Sequence, residues 1–230
     1  MLVRNWMSKN VVTIGVEDSM QDATALLKEH RIRMLPVVKK GVLVGIVTDR
    51  DLKRASASDA TTLEIHELLY LLMKIKIKDI MTKDPIAVLQ NWTIEETAAM
   101  LLENKISGVP VIDGRKSVVG VITQTDLFRV LISLTGINAG GIQFAFRLKD
   151  NPGSIKEVAD IIRSFGGRMV SILSSYDKAP EGFRHVYIRM RHLDRSQMML
   201  LQNKLMQIAS LMYIVDHKEN RREIFQEGLA

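Results

Sequence analysis

Thr48 and Asp51 stand three residues apart at the end of a β-branched run, and Thr123 and Asp126 repeat that spacing at the end of another. A hydroxyl and a carboxylate so placed can do two things. At the start of a helix they form a capping box, the side chains satisfying amides that have no partner within the helix. The carboxylate can also accept both hydroxyls of a ribose, while the unpaired amides of the helix start favour a nearby phosphate. One copy would leave capping as a sufficient account. Two copies in equivalent places allow either two caps or two nucleoside clefts, one lined by Thr48 and Asp51, the other by Thr123 and Asp126. Arg50 precedes the first aspartate where Thr125 precedes the second, and Arg31 and Arg33 occur where the second copy has Lys105 and Ser107. Only the first cleft has a local cation for phosphate, so it is expected to be the better nucleotide site.

These pairs belong to a longer repeat. Residues 3–55 return as 77–130: Met7 falls on Met81 and Pro36 on Pro110, while Thr48 falls on Thr123 one position later. The added residue is expected in the turn Asp113-Gly114-Arg115-Lys116. With only two copies, the repeat is expected to bury one face against the other rather than to build an array.

Each copy carries its own punctuation. Ser19-x-x-Asp22 and Thr93-x-x-Glu96 read as capping boxes opening helices, with Met20, Ala23 and Leu27, or Ile94, Ala98 and Leu101, at helical spacing. Leu35–Val38 with Val42–Val47, and Val109–Ile112 with Val118–Ile122, read as hairpins, and Val11–Ile14 and Ile86–Leu89 as earlier strands. Each unit is therefore strand, helix, strand, strand, helix. Between the copies, 60–78 is leucine-rich and lacks Gly and Pro, which fits a packed helix better than a flexible linker. His66 within it reads as a surface residue, because no second ligand sits at helical spacing.

Composition removes several function classes. The chain has 230 residues, 47% hydrophobic and 25% charged, with no cysteine and five scattered histidines, so disulfides and a zinc site are not expected. No apolar run reaches membrane-spanning length and the first residues have no apolar signal core, so the expected setting is the cytoplasm. The net charge of +6 is spread over both halves without a basic run or interleaved aromatics, which argues against nucleic acid. No nucleophile–base set, phosphate loop or partnered acid and base is present, so no catalytic residue is assigned.

After Gly136, with Gly140-Gly141 as a joint, the pattern changes. Ile142, Phe144, Phe146 and Leu148 alternate with Gln143, Ala145 and Arg147, which reads as a half-buried strand. Asn151-Pro152 opens a helix with Ile155, Val158, Ala159, Ile162 and Phe165 on one stripe. Strands at Val170–Tyr176 and His185–Arg191, a helix at Ser196–Ile208 and a strand near Leu211–Val215 complete a ferredoxin-like βαββαβ order. Met198, Met199 and Met206 read as core filler.

Gly45–Leu52 (GIVTDRDL) and Gly120–Leu127 (GVITQTDL) resemble the hydrophobic–Thr-x-x-Asp signature that closes a cystathionine-β-synthase (CBS) domain, and MLPVV and GVPVI resemble the strand before it. The resemblance covers residues 1–135 as a tandem pair. It favours clefts over caps at the two Thr–Asp pairs and implies a pseudo-twofold module with two clefts for adenosine-containing ligands, with Thr13 and Met34 flanking the adenine in one and Ala87 and Gly108 in the other, although all four could be core or turn residues. Residues 141–217, with LKDNPGSI after the first strand, resemble an ACT domain. That implies an amino-acid site near Asp150, Asn151 and Gly153, while Asn151-Pro152-Gly153 could equally just start a helix. Two CBS copies and one ACT domain together resemble the acetoin-utilisation regulatory proteins of bacteria.

The domain reading is therefore a first CBS domain at 1–58, a linker helix at 59–78, a second CBS domain at 79–135, an ACT domain at 141–217 and a tail at 218–230. The fold class is mixed α/β. The expected function is a non-catalytic regulatory sensor and homodimer that binds AMP, ADP, ATP or S-adenosylmethionine between the CBS copies. A small metabolite at the ACT domain and control of a partner protein, in acetoin metabolism by the last resemblance, complete it. The rival readings are a nucleic-acid-binding regulator and a structural assembly module with degenerate clefts.

Overall fold

The computed structural model describes residues 1–59 and 74–225. Residues 60–73 of the leucine-rich stretch, His66 among them, lie outside these; the helix expected to run to 78 is broken at Ile75 and Lys76, where Lys76 bridges to Ser19, and a separate short helix starts at Ile77. The chain forms two compact units, Met1–Phe128 and Arg129–Ala230. The division falls inside the helix Gln124–Thr135, ahead of the Gly136–Gly141 joint read from the sequence.

In the first copy, β1 (Ile14–Gly15) leads to α1 (Met20–Glu29), the hairpin β2 (Met34–Lys39) and β3 (Val42–Thr48), and α2 (Asp49–Asp59). After the undescribed stretch come α3 (Ile77–Ile80) and β4 (Thr82–Lys83). The second copy then gives β5 (Val88–Leu89), α4 (Ile94–Glu103), β6 (Gly108–Ile112), β7 (Val118–Thr123) and α5 (Gln124–Thr135). Both first helices open on complete capping boxes, Ser19 with Asp22 and Thr93 with Glu96. Met20, Ala23 and Leu27 are buried as their spacing requires; in α4 it is Thr97, not Ala98, that lies fully buried between Ile94 and Leu101, its hydroxyl donating to the Thr93 carbonyl. The early strands are shorter than expected, two residues each, because only Ile14–Gly15 and Val88–Leu89 find parallel partners on β2 and β6. The inserted residue sits where the sequence places it. The first hairpin turns through Lys40 and Gly41, both at positive φ, whereas the second uses a longer loop folded around the Asp113 carboxylate, which accepts the amides of Arg115 and Ser117.

The copies exchange their leading segments. Residues ahead of the first copy bond to the second: the amide of Val3 donates to the Trp92 carbonyl, Arg4 to Gln90, and Ser8 and Val121 exchange both bonds. Residues ahead of the second copy bond to the first at matching positions: Ile77 donates to Asp18, Lys78 to Val16, and Thr82 and Lys83 form β4 against Ile46 and Gly45 of β3. Ile77 is fully buried in the first copy's core beside Leu35, Val37 and Val47, and Val3 is equally buried. Gly45 and Gly120 make room for this. A Cβ on Gly45 would lie 2.5 Å from the Met81 sulfur, and one on Gly120 would overlap the Met7 sulfur.

The second unit continues with β8 (Ile142–Lys149), α6 (Ser154–Ser164), β9 (Arg168–Ser175), β10 (Phe183–Arg191), α7 (Met198–Ile208), β11 (Ser210–Asp216) and β12 (Arg221–Ile224). The strand order is β12–β11–β8–β10–β9 with every pairing antiparallel. Residues 221–224, read from sequence as part of a tail, thus add a strand. Ile142, Phe144, Phe146 and Leu148 pack with Val158, Ala159, Ile162, Leu201 and Leu205 in one core. The alternation of β8 hides that its other face is also covered: Ala145 is fully buried, and so is Arg189 of β10, whose guanidinium donates to Gln143 and to the carbonyl of Thr135 at the end of α5. The methionines of α7 are not core filler as a group. Met198 packs on the core, but Met199 and Met206 face solvent, because Leu201 and Leu205 already occupy the inward stripe.

Candidate functional site

Each Thr–Asp pair forms a corner where a hairpin strand ends and a helix begins. At the first, the Thr48 amide and hydroxyl donate to Asp51 Oδ2 at 2.9 and 2.6 Å, and the Asp51 amide donates back to the Thr48 hydroxyl at 3.3 Å. At the second, the Thr123 amide and hydroxyl donate to Asp126 Oδ2 at 2.9 and 2.8 Å. Both corners are therefore capping arrangements, and capping uses one carboxylate oxygen only. Among the described residues Oδ1 of Asp51 makes no hydrogen bond, so its lone pairs can meet a ligand hydroxyl.

The corner is pinned from the neighbouring strand. Met34 faces Thr48 and Gly108 faces Thr123 in the hairpin registers. The Asp49 amide donates to the Arg33 carbonyl, and the Gln124 amide to that of Ser107, so each helix start is tied to the residue ahead of β2 or β6. The first corner thereby gathers Thr48, Asp51, Arg33 and Arg50. Both arginines are exposed, and among the described residues neither is ion-paired. The second corner has Thr125 and Ser107 in their places, and Asp126 is more deeply buried, 6% exposed. Thr13 and Ala87 are half-buried, one residue ahead of β1 and β5, the parallel neighbours of β2 and β6. Met34 and Gly108, 74 positions apart in the chain, come together: a Cβ on Gly108 would lie 3.0 Å from the Met34 methyl. Nothing local in the sequence signals that meeting, nor the exchange of leading segments that closes the module.

In the second unit, Asp150 and Asn151 are exposed and Gly153 holds a left-handed conformation, φ +89, immediately before α6. The Asp150 amide donates to the Gly182 carbonyl, and its carboxylate accepts from the Tyr176 hydroxyl at 3.3 Å and lies 3.4 Å from Arg184 Nε. A groove of about 420 Å³ opens beside Gly153, floored by Ile155, Ala159, Met169 and Ile172 and edged by Lys156, Arg163 and Arg184. Arg184 was not singled out from sequence; its one signal is a cation at an alternating position of a strand. Among the described residues no group of acidic or histidine side chains could hold a metal, and no helix is long and apolar enough to cross a membrane.

A duplicated hairpin-and-helix unit, closed on its twin by exchanged segments with a Thr–Asp corner in each half, is the architecture of a tandem CBS pair. The CBS domain family matches residues 3–58 and 77–133. A CBS domain-containing protein of Dictyostelium discoideum is 32% identical over 134 residues, 58% of this chain and 92% of that protein. The chain belongs to the CBS-domain family. Inosine-5'-monophosphate dehydrogenase of Korarchaeum cryptofilum is 34% identical over 124 residues, 54% of this chain but 23% of that enzyme, so the likeness is to a minor part of it. Among solved structures, a Vibrio cholerae protein designated for acetoin utilization (AcuB) superposes with TM-score 0.51 at 26% identity, covering 60% of this chain and 96% of that one.

Proposed function

We propose that the chain is a non-catalytic regulatory sensor that takes an adenine nucleotide, AMP, ADP, ATP or S-adenosylmethionine, in the clefts of its CBS pair. The observation that carries this reading is the first corner: an aspartate with one oxygen held by Thr48 and the other available, flanked by the exposed Arg33 and Arg50. Ribose hydroxyls suit the available oxygen, and the arginines with the start of α2 suit phosphate. Differential binding to two arrangements would make occupancy a signal to a partner protein.

The second unit has the ferredoxin-like strand order and resembles an ACT domain, and its groove suits a small amphiphilic acid such as an amino acid, the apolar floor taking the side chain and Arg184 the carboxylate. Likeness to the Vibrio cholerae protein supports a role in acetoin metabolism. A homodimer in the cytoplasm completes the reading. Isothermal titration with the four adenine ligands tests it directly: saturable binding that Asp51→Asn weakens is the expected result. Binding to duplex DNA or RNA that falls steeply with added salt would instead favour the nucleic-acid regulator, and an absence of response to every ligand the assembly module.

A further inference from the structure

The two corners meet at unequal residues. Equivalent positions in the repeat hold Met34 and Gly108, and both lie beside their threonines, Met34 opposite Thr48 and Gly108 opposite Thr123. The point where a Gly108 Cβ would stand is 3.0 Å from the Met34 methyl and 3.0 Å from the Thr123 methyl, with the Ile122 carbonyl at 3.1 Å. One methionine therefore reaches from the first corner to the second and uses the space that glycine leaves empty. A second side chain at 108 would not fit without moving it. The second corner is also the more enclosed, Asp126 being 6% exposed, and it lacks counterparts to Arg33 and Arg50.

We propose that Met34 is a wedge shared by the two corners, which admits a single adenosyl ligand per chain, at Thr48 and Asp51, and screens the Thr123–Asp126 corner. This rests on the nucleotide reading above. A ligand ribose at the first corner presses the methionine further toward Thr123, and the flexible thioether can follow without strain. Occupancy of one corner thus opposes occupancy of the other, without any change in the fold.

Isothermal titration of the full chain with ATP and with S-adenosylmethionine tests this, with Met34→Ala, Met34→Leu and Gly108→Ala alongside. The expected result is one ligand per parent chain, two per Met34→Ala chain, one per Met34→Leu chain, and binding weakened by about tenfold in Gly108→Ala, whose added methyl drives the methionine back onto the first corner. Two equal sites on the parent, or a single site persisting in Met34→Ala, overturns the wedge and leaves the nucleotide reading standing. No binding by the parent or any folded variant overturns the nucleotide reading itself.

Discussion

At Asp51, Oδ2 is occupied by the Thr48 amide and hydroxyl, so a ribose must be met by Oδ1. Asp51→Asn keeps an oxygen for the cap and removes the charge, so nucleotide affinity is expected to fall roughly ten- to a hundredfold, the worth of about one charge-assisted hydrogen bond. Asp51→Ala should in addition lower stability by about 0.5–2 kcal/mol, the usual consequence of deleting a cap. Calorimetric affinity set against chemical denaturation separates the two effects. In the second unit, burial pushes the Asp216 carboxyl up, but bidentate bonds from Arg195 and the amides of Glu219 and Lys218 outweigh it and hold the carboxyl below its ordinary value. Burial and then the charges of Arg189 and Arg222 hold the His217 imidazole below its ordinary 6.5. A depressed value in the folded state means that both contributions are complete above the unfolded value and vanish as pH falls through the folded one. The second unit should therefore lose stability first below about pH 6.5, as unfolded His217 gains its proton, and again in the carboxylate range. Thermal unfolding between pH 7 and 3 should show both losses, the lower one smaller in Asp216→Asn, since Asp160 and Asp194 are also held below their ordinary values by hydrogen bonds from Lys156 and Ser196.

Between elements of the CBS pair, Gly45 and Gly120 are each covered by a methionine, Met81 and Met7. Gly45→Ala would place a methyl 2.5 Å from the Met81 sulfur with the Thr82 carbonyl at 3.1 Å, and is expected to destabilise the first unit by about 1–3 kcal/mol, as overpacking does. Met81→Ala in the same chain should recover part of that loss, and a double-mutant cycle by urea denaturation checks it. The hairpins, the Ser19 and Thr93 caps and the Thr–Asp corners were legible from sequence because each is set within a few residues: a threonine finds an aspartate three positions on, and the Lys40-Gly41 turn needs only positive φ. Asn151-Pro152 did not open its helix as expected; Gly153, left-handed and without a side-chain cap, holds the N-cap and Ser154 begins the helix. What stayed hidden depends on partners far along the chain. The likeness of Met7 to Met81 is visible as a repeat, yet only the fold makes each cover the glycine of the other copy. Likewise β8 alternates like a half-solvated strand, and nothing near Ala145 announces that its outer face is covered as well.

For the molecule as a whole, removing residues 1–9 should injure the second copy, not the first, because Val3, Arg4 and Ser8 bond to Trp92, Gln90 and Val121. Hydrogen exchange is expected to accelerate in β7 while β10 keeps its protection, since Arg129–Ala230 is a unit with its own core. Saturating adenine nucleotide should raise the unfolding temperature of the full chain in proportion to the logarithm of its concentration, and the Asp51→Asn chain should show a smaller rise.

A half that is finished only by residues borrowed from its twin cannot have been self-sufficient. Before duplication, the ancestral unit would have met the same demand as two separate chains, each lending its leader to a neighbour in a symmetric dimer. Joining two such units in one chain would turn a concentration-dependent association into an internal one. Positions that were identical in such a dimer would then be free to diverge, as the equivalent positions 34 and 108, methionine and glycine, now differ.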